Sequence, residues 1–135
     1  MKHYTIIIVE NDEDEQFFMK EGFDASGLFT ILAQLRSGNE LFDWIEGSGQ
    51  QPDVILSDLN MPGKNGYDIL SGIAEIPGWK HIPIVITSTS STPVTIEKCR
   101  RLGAAEYMVK PETFVEYAGF VERLHRLLTE KQLVK

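Results

Sequence analysis

Residues 54–63 read Val-Ile-Leu-Ser-Asp-Leu-Asn-Met-Pro-Gly, a short apolar run that ends in an acid and a turn. A continuous apolar run of this length is typical of a parallel strand that is buried on both faces. A purely structural carboxylate at the end of such a strand would be costly to desolvate. We therefore expect Asp58 to lie at the carboxyl end of a central strand and to have a chemical role.

Similar apolar runs recur on both sides of this stretch, at Tyr4–Val9, Phe29–Leu35, 82–86 and Glu106–Val109. Segments with helical periodicity alternate with them, and the clearest is an apolar stripe near the end of the chain, formed by Phe114, Tyr117, Val121, Leu124 and Leu128. Five β–α repeats predict an α/β fold, a doubly wound five-stranded parallel sheet with helices on both faces. We expect one domain over residues 1–135, with a core at about 3–128 and a polar C-terminal tail that frays.

Composition narrows the functional classes. The net charge of −7, from 13 basic and 20 acidic residues, argues against a nucleic-acid surface. One cysteine, Cys99, permits no intrachain disulfide. The N-terminus has no signal-peptide pattern, and no apolar run approaches the ~20 residues that cross a bilayer. We expect a cytoplasmic protein that contacts neither nucleic acid nor membrane.

Polar side chains follow four of the predicted strands. Glu10 and Asn11 follow the first strand, Asp58 the third, the hydroxyl row 87–91 the fourth and Lys110 the fifth. In an open α/β sheet these positions converge on one edge, where ligands bind. Several oxygen ligands suit a hard divalent cation such as Mg²⁺, and a carboxylate beside such a cation can act as a nucleophile toward a phosphoryl group.

Each of these residues also has an ordinary structural interpretation. Asn11 or Asp12 could cap the first helix, and the sequence leaves this open. Lys110 alone would usually be a surface lysine, and Ser88 alone would usually be a loop hydroxyl. Their occurrence together at successive strand ends favours a site.

Three segments resemble the receiver domain of the response regulator family: 54–66 (VILSDLNMPGKNG), 82–90 (IPIVITSTS) and 103–111 (GAAEYMVKP). The resemblance covers nearly the whole chain, and its motifs fall in the family's order and spacing. It implies the flavodoxin-like strand order 2-1-3-4-5.

The resemblance also implies roles for individual residues. Asp58 would be the phosphoryl acceptor, and Lys110, joined to the next proline by a cis bond, would pair with the phosphoryl group. Ser88, five residues after Pro83, matches the catalytic and switch hydroxyl, with Thr87 as the competing choice. Tyr107, three residues before Lys110, matches the aromatic switch residue.

The expected metal ligands show one departure from the family pattern. They are Glu10, Asn11, Asp58 and the backbone carbonyl of Asn60. The family normally has two carboxylates after the first strand, and Asn11 offers an amide oxygen without charge. We expect Mg²⁺ to bind more weakly than in a typical member, with Glu10 acting through water or Asp12 compensating by a shift of one residue.

The function that the resemblance implies is a stand-alone receiver, a phosphoacceptor able to catalyse its own phosphorylation and dephosphorylation. A histidine kinase or a histidine phosphotransfer protein would supply the phosphoryl group. The face made by the fourth helix, fifth strand and fifth helix would then change its affinity for a downstream protein.

Three other functions compete with this one. A pseudo-receiver that never uses phosphate is supported by Asn11. A flavodoxin-like mononucleotide binder is disfavoured because the acids at 10–13 would repel a phosphate. A phosphohydrolase of the haloacid dehalogenase type needs a second acid where Asn60 stands.

Overall fold

Five strands alternate with five helices in a computed structural model that describes residues 1–135. The strands are β1 (Tyr4–Val9), β2 (Phe29–Leu35), β3 (Val54–Asp58), β4 (Ile84–Ser88) and β5 (Glu106–Val109). The helices are α1 (Glu13–Ser26), α2 (Gly38–Ser48), α3 (Gly66–Ala74), α4 (Pro93–Arg101) and α5 (Tyr117–Glu130), with one 3₁₀ turn at Phe114–Glu116 before α5.

All strands are parallel and form one sheet in the order β2-β1-β3-β4-β5. This confirms the predicted doubly wound, flavodoxin-like fold and its strand order. The reversal of strand order beside β1 brings the carboxyl ends of β1 and β3 together, the place where such sheets bind ligands. No helix is long and apolar enough to cross a membrane.

Two apolar cores lie on opposite faces of the sheet, because successive side chains of a strand point to opposite sides. The first core packs Ile8, Leu56 and Met108 against α1 and α5. The second packs Ile55 and Ile86 against α2, α3 and α4. We call these the α1/α5 face and the α3/α4 face of the sheet.

Three boundaries differ from the sequence predictions. The ladder of β4 begins at Ile84 and not at residue 82, because Pro83 has no N–H to contribute. The sequence predicts a third strand at 54–56 with Asp58 after it, whereas β3 extends through Asp58, so the acid is the last residue of the strand itself. The tail is more ordered than expected: α5 continues to Glu130, and Leu133 and Val134 pack against the first core.

Candidate functional site

The Lys110 ammonium group lies among three carboxylates. Its Nζ is 2.8 Å from Glu10 Oε1, 3.3 Å from Asp58 Oδ1 and 3.1 Å from Glu15 Oε2. The Lys110 side chain is only 8% exposed, and those of Glu10 and Asp58 are 2% and 9% exposed. The structure therefore places Lys110 beside Asp58, as the sequence predicts, and away from bulk solvent.

Strand geometry explains why these side chains meet. Asp58 follows Leu56 by two residues, and Lys110 and Glu10 stand in the same relation to Met108 and Ile8. Side chains two apart in a strand share a face, so all three project from strand ends on the α1/α5 face. Contacts of Lys110 with Glu15 of α1 agree with this placement.

Burial shifts the pKa values of the two acids. Burial, followed by the charge of Asp58, raises the pKa of Glu10 to about 7, although Lys110 and the Asp12 backbone N–H act in the opposite direction. Burial likewise raises the pKa of Asp58, and the Lys110 charge opposes that rise. Burial alone would lower the pKa of Lys110, but its hydrogen bond to Glu10 and the charge of Asp58 raise it above its ordinary value, so the lysine stays charged.

The donors that face this space are oxygens, which suits a hard divalent cation. Glu10 and Asp58 come close enough to share one ammonium group. The Asn60 carbonyl accepts no backbone hydrogen bond, which leaves it available as a ligand. The chain nevertheless contains no group of three or more His, Cys, Asp or Glu side chains arranged to hold a metal. The donor set fits Mg²⁺ with fewer carboxylates than the family pattern has.

The segment after β1 resolves the question of the helix cap. Asp12 caps α1, because its Oδ1 accepts the Glu15 backbone N–H at 2.9 Å. The Asn11 carbonyl oxygen instead accepts a hydrogen bond from the Arg36 guanidinium at 3.5 Å. The Asp12 carboxylate is exposed, and one of its oxygens is engaged as the helix cap.

The two expected switch residues lie on the α3/α4 face. Ser88 ends β4, and its Oγ accepts the Ser90 backbone N–H at 3.2 Å without a hydrogen bond to Asp58. The Tyr107 hydroxyl donates to the Ser90 carbonyl at 2.7 Å, and its ring packs against the second core. Thr87, the competing hydroxyl, lies beside Asp58 in the sheet, and its Oγ1 is buried without a partner.

One expectation about this segment is wrong. No peptide bond in the chain is cis, so the bond between Lys110 and Pro111 is trans. A bond before proline prefers the trans form by about 0.5–1 kcal/mol, and a cis form persists only where its surroundings require it. Here the Lys110 N–H bonds to the Ser88 carbonyl at 2.8 Å, and the ammonium reaches Glu10 without a cis turn.

Sequence reasoning missed two residues that complete the site. Glu15 contacts Lys110 from the first turn of α1, and the Tyr117 hydroxyl donates to Glu15 Oε2 at 2.8 Å. Glu15 has the ordinary appearance of an acid at a helix N-terminus. The one signal for Tyr117 is that it is the only residue with a polar tip in the apolar stripe of the last helix.

The sequence also matches a known protein family. Residues 6–121 match the family model of the response regulator receiver domain. A two-component response regulator-like protein of Arabidopsis thaliana, APRR5, is 34% identical over 80 residues, which is 59% of this chain and 14% of that protein. The chain therefore spans a small part of that relative.

Two solved structures share the fold. The phosphorylated cyanobacterial phytochrome response regulator RcpA superposes with a TM-score of 0.83 at 24% identity, over 96% of each chain. The Mn²⁺-bound response regulator Rcp1 superposes with a TM-score of 0.79 at 24% identity, over 94% of this chain and 95% of that one.

Proposed function

We propose that this chain, which belongs to the response regulator receiver family of two-component signalling, accepts a phosphoryl group on Asp58 and passes the signal on by changing its contacts with other proteins. The observation that carries the proposal is the 3.3 Å approach of the buried Lys110 ammonium to Asp58 Oδ1. A fixed cation beside a strand-end carboxylate can hold both the nucleophile and the charge that arrives with a phosphoryl group.

The transfer step uses a phosphohistidine of a histidine kinase or a histidine phosphotransfer protein. A carboxylate oxygen of Asp58 attacks the phosphorus, an O–P bond forms, and the P–N bond breaks with its electron pair returning to the imidazole nitrogen. Lys110 offsets the negative charge on the phosphoryl oxygens. The product is an aspartyl phosphate with about one more negative charge than the carboxylate it replaces.

A divalent cation would be held by Glu10, Asp58 and the Asn60 carbonyl. When bound, Mg²⁺ would neutralise charge on the phosphoryl group and align it with the nucleophile. The Mn²⁺-bound structure of Rcp1 supports a divalent cation in this fold. Because Asn11 contributes no charge, we expect Mg²⁺ affinity below that of a member with two carboxylates at this place.

The donor protein would dock beside the site. Phe17 of α1 and Phe114 and Val115 of the 3₁₀ turn are large exposed apolar residues, and Phe114 stacks on Phe18 with ring centroids 4.4 Å apart. This patch borders the elements that carry Glu15 and Tyr117. An apolar patch next to a polar site is typical of a protein-binding surface.

The switch would act through Ser90. Ser88 Oγ now accepts the Ser90 N–H, and Tyr107 donates to the carbonyl of the same residue. If Ser88 turns to donate to the phosphoryl group, the Ser90 N–H loses its partner, and Tyr107 turns inward into the space that Ser88 vacates. The exposed Val94 of α4 and Val109 of β5 lie on the face made by α4, β5 and α5, where a downstream protein would sense this change.

Incubation with acetyl phosphate and Mg²⁺, followed by intact mass measurement, tests the proposal. We expect the mass of one phosphoryl group on the wild type and none on Asp58→Asn. Asp43→Asn is the matched control, because Asp43 is an exposed acid on α2. Uptake by Asp58→Asn equal to that of the wild type would refute the assignment.

The second candidate is a pseudo-receiver that binds proteins without phosphate. Asn11 and the absence of a cluster of three metal-binding side chains favour it. Three residues weigh against it, since a module free of phosphate has no need of Asp58, Lys110 and Ser88 together. In the mass experiment the pseudo-receiver predicts no added mass on the wild type at any concentration of Mg²⁺.

A further inference from the structure

Lys110 is held by a carboxylate that no sequence pattern assigned to the site. Glu15 Oε2 lies 3.1 Å from Lys110 Nζ and accepts the Tyr117 hydroxyl at 2.8 Å. Tyr117 is 2% exposed and fixed by packing of α5 on α1, where a Cβ at Gly22 would lie 3.3 Å from the Tyr117 Cβ. The Glu15 carboxylate is thus positioned from two sides, by Lys110 and by a buried phenol.

Interaction with the helix dipole does not explain this orientation. Glu13, Asp14 and Glu15 all lie in the first turn of α1, where acids are stabilised by the N-terminal end of the helix. The Glu13 side chain is 77% exposed and pairs with Arg36 on the surface, whereas Glu15 turns inward to Lys110. Glu13 therefore serves as the natural comparison for an acid at the same helix end without access to the site.

The inward orientation of Glu15 changes the net charge around Lys110. Three carboxylates, those of Glu10, Asp58 and Glu15, surround one ammonium group, so the net formal charge of the four groups is −2 when all are ionised. Without Glu15 the net charge is −1. Glu15 thus contributes a carboxylate on the Lys110 side of the site, whereas Asn11, which follows β1, contributes no charge. An added negative charge attracts a divalent cation and repels a phosphoryl group.

We propose that Glu15, held by Tyr117, is a positioning residue that competes with the phosphoryl group for the Lys110 ammonium and so shortens the lifetime of the phosphorylated state. The inference rests on the proposed function, because it concerns the phosphoryl group on Asp58. Glu15 draws Lys110 toward α1 and α5 and adds repulsion to the aspartyl phosphate. The same charge strengthens the attraction of Mg²⁺ to the empty acceptor.

The test compares Glu15→Gln with the wild type in two measurements. One is the decay of the phosphoryl mass after acetyl phosphate is removed in saturating Mg²⁺. The other is Mg²⁺ affinity of the unphosphorylated protein, by calorimetric titration. For the loss of one unit charge at an effective dielectric constant of about 40 to 80, we expect effects on the order of threefold to tenfold. Glu15→Gln should lengthen the phosphoryl lifetime and weaken Mg²⁺ binding.

Two further variants separate this role from a structural one. Tyr117→Phe keeps the Glu15 charge but removes the group that orients it, so it should lengthen the lifetime by a smaller factor. Glu13→Gln should leave both quantities within about twofold of the wild type, because Glu13 lies outside the site. The urea denaturation midpoint of each variant checks packing: we expect it to equal that of the wild type, because a damaged site would also bind Mg²⁺ more weakly and release the phosphoryl group more slowly.

The outcomes distinguish the inference from the function on which it rests. If the wild type is phosphorylated and Glu15→Gln has an unchanged or shorter lifetime, the role of Glu15 is refuted and the proposed function stands. If the wild type takes up no phosphoryl group, both fail. A Glu15→Gln protein with unchanged Mg²⁺ affinity would also overturn the role, because the charge would then not reach the site.

Discussion

At the scale of single residues, the site depends on one buried cation and the acids that compete for it. Glu10 lies 2.8 Å from Lys110 and Asp58 lies 3.3 Å from it. Breaking a buried ion pair on one side leaves the remaining charge without compensation, which costs about 3–5 kcal/mol. The same acids that stabilise Lys110 therefore compete with an incoming phosphoryl group for its charge.

Asn11 is the residue at which this chain departs from the family pattern, and its substitution gives a direct prediction. Asn11→Asp adds a carboxylate next to Glu10 and should tighten Mg²⁺ binding by on the order of tenfold. Calorimetric titration with MgCl₂ measures this. Combining Asn11→Asp with Asp14→Asn, an exposed change in the first turn of α1, keeps the net charge at −7 and controls for net charge. Equal Mg²⁺ affinity in wild type and Asn11→Asp would contradict the expected weakening by Asn11.

Residue patterns predict the central part of the site and miss its outer part. Asp58, Glu10 and Lys110 were predictable because each ends or follows a strand, and strand ends of a parallel sheet converge. Glu15 and Tyr117 were not, because their meeting depends on how closely α1 packs on α5. The trans bond before Pro111 was also missed, since sequence alone does not determine the isomer.

At the scale of elements, the loop after β3 is fixed by its contact with the start of α3. The Gly66 N–H donates to the Leu59 carbonyl at 2.9 Å. A Cβ at Gly66 would lie 2.9 Å from the Leu59 Cα and 3.0 Å from the Asp58 carbonyl oxygen. Both neighbours are backbone atoms, so the helix cannot approach the loop with any larger residue unless the loop moves.

Gly66→Ala should therefore destabilise the protein, by about 1–3 kcal/mol as in other overpacked sites. The urea denaturation midpoint measures the change. Gly47→Ala is the matched control, since Gly47 lies in α2 with no atom within 4 Å of an added Cβ, and alanine there should stabilise by about 0.5–1 kcal/mol. A Gly66→Ala protein as stable as the wild type would show that the loop moves to accommodate the added methyl group without a cost in stability.

Local sequence patterns predict some boundaries of the strands and helices and miss others. β1, β2 and β5 have the predicted bounds because apolar alternation or a short apolar run defines each. β4 begins later because Pro83 interrupts the ladder, and Thr129 and Glu130 extend α5 beyond its apolar stripe. Polar residues at a helix end give no pattern, so the packing of Leu133 against the first core was beyond sequence reasoning.

At the scale of the whole molecule, burial of acids makes folding depend on pH. The pKa of Glu10 is about 7 in the folded protein against 4.5 as its ordinary value. Between these values the folded state binds more protons than the unfolded state, so the free energy of unfolding falls as pH rises. The pKa of Asp58 is also raised, which acts in the same direction.

We expect the free energy of unfolding in metal-free buffer to fall between pH 4.5 and pH 7, with Glu10 contributing at most about 3 kcal/mol. Urea titrations in EDTA at several pH values measure it. Glu10→Gln should flatten the dependence, because the substituted side chain does not titrate, whereas the exposed-acid variant Glu13→Gln should retain it. An unfolding free energy that rises with pH across this window would contradict the raised pKa.

The sheet separates the acceptor from the residues that respond to it. Glu10 and Asp58 meet Lys110 on the side of α1, where Lys110 contacts Glu15. Tyr107 packs against the second core, on the side of α3 and α4. The apolar sheet lies between these two groups of residues, so a change at Asp58 reaches Ser88 and Tyr107 only around the ends of the strands. Substitutions on α4 can therefore change the downstream partner without altering the α1 surface that meets the donor, whereas substitutions on α5 affect both sides.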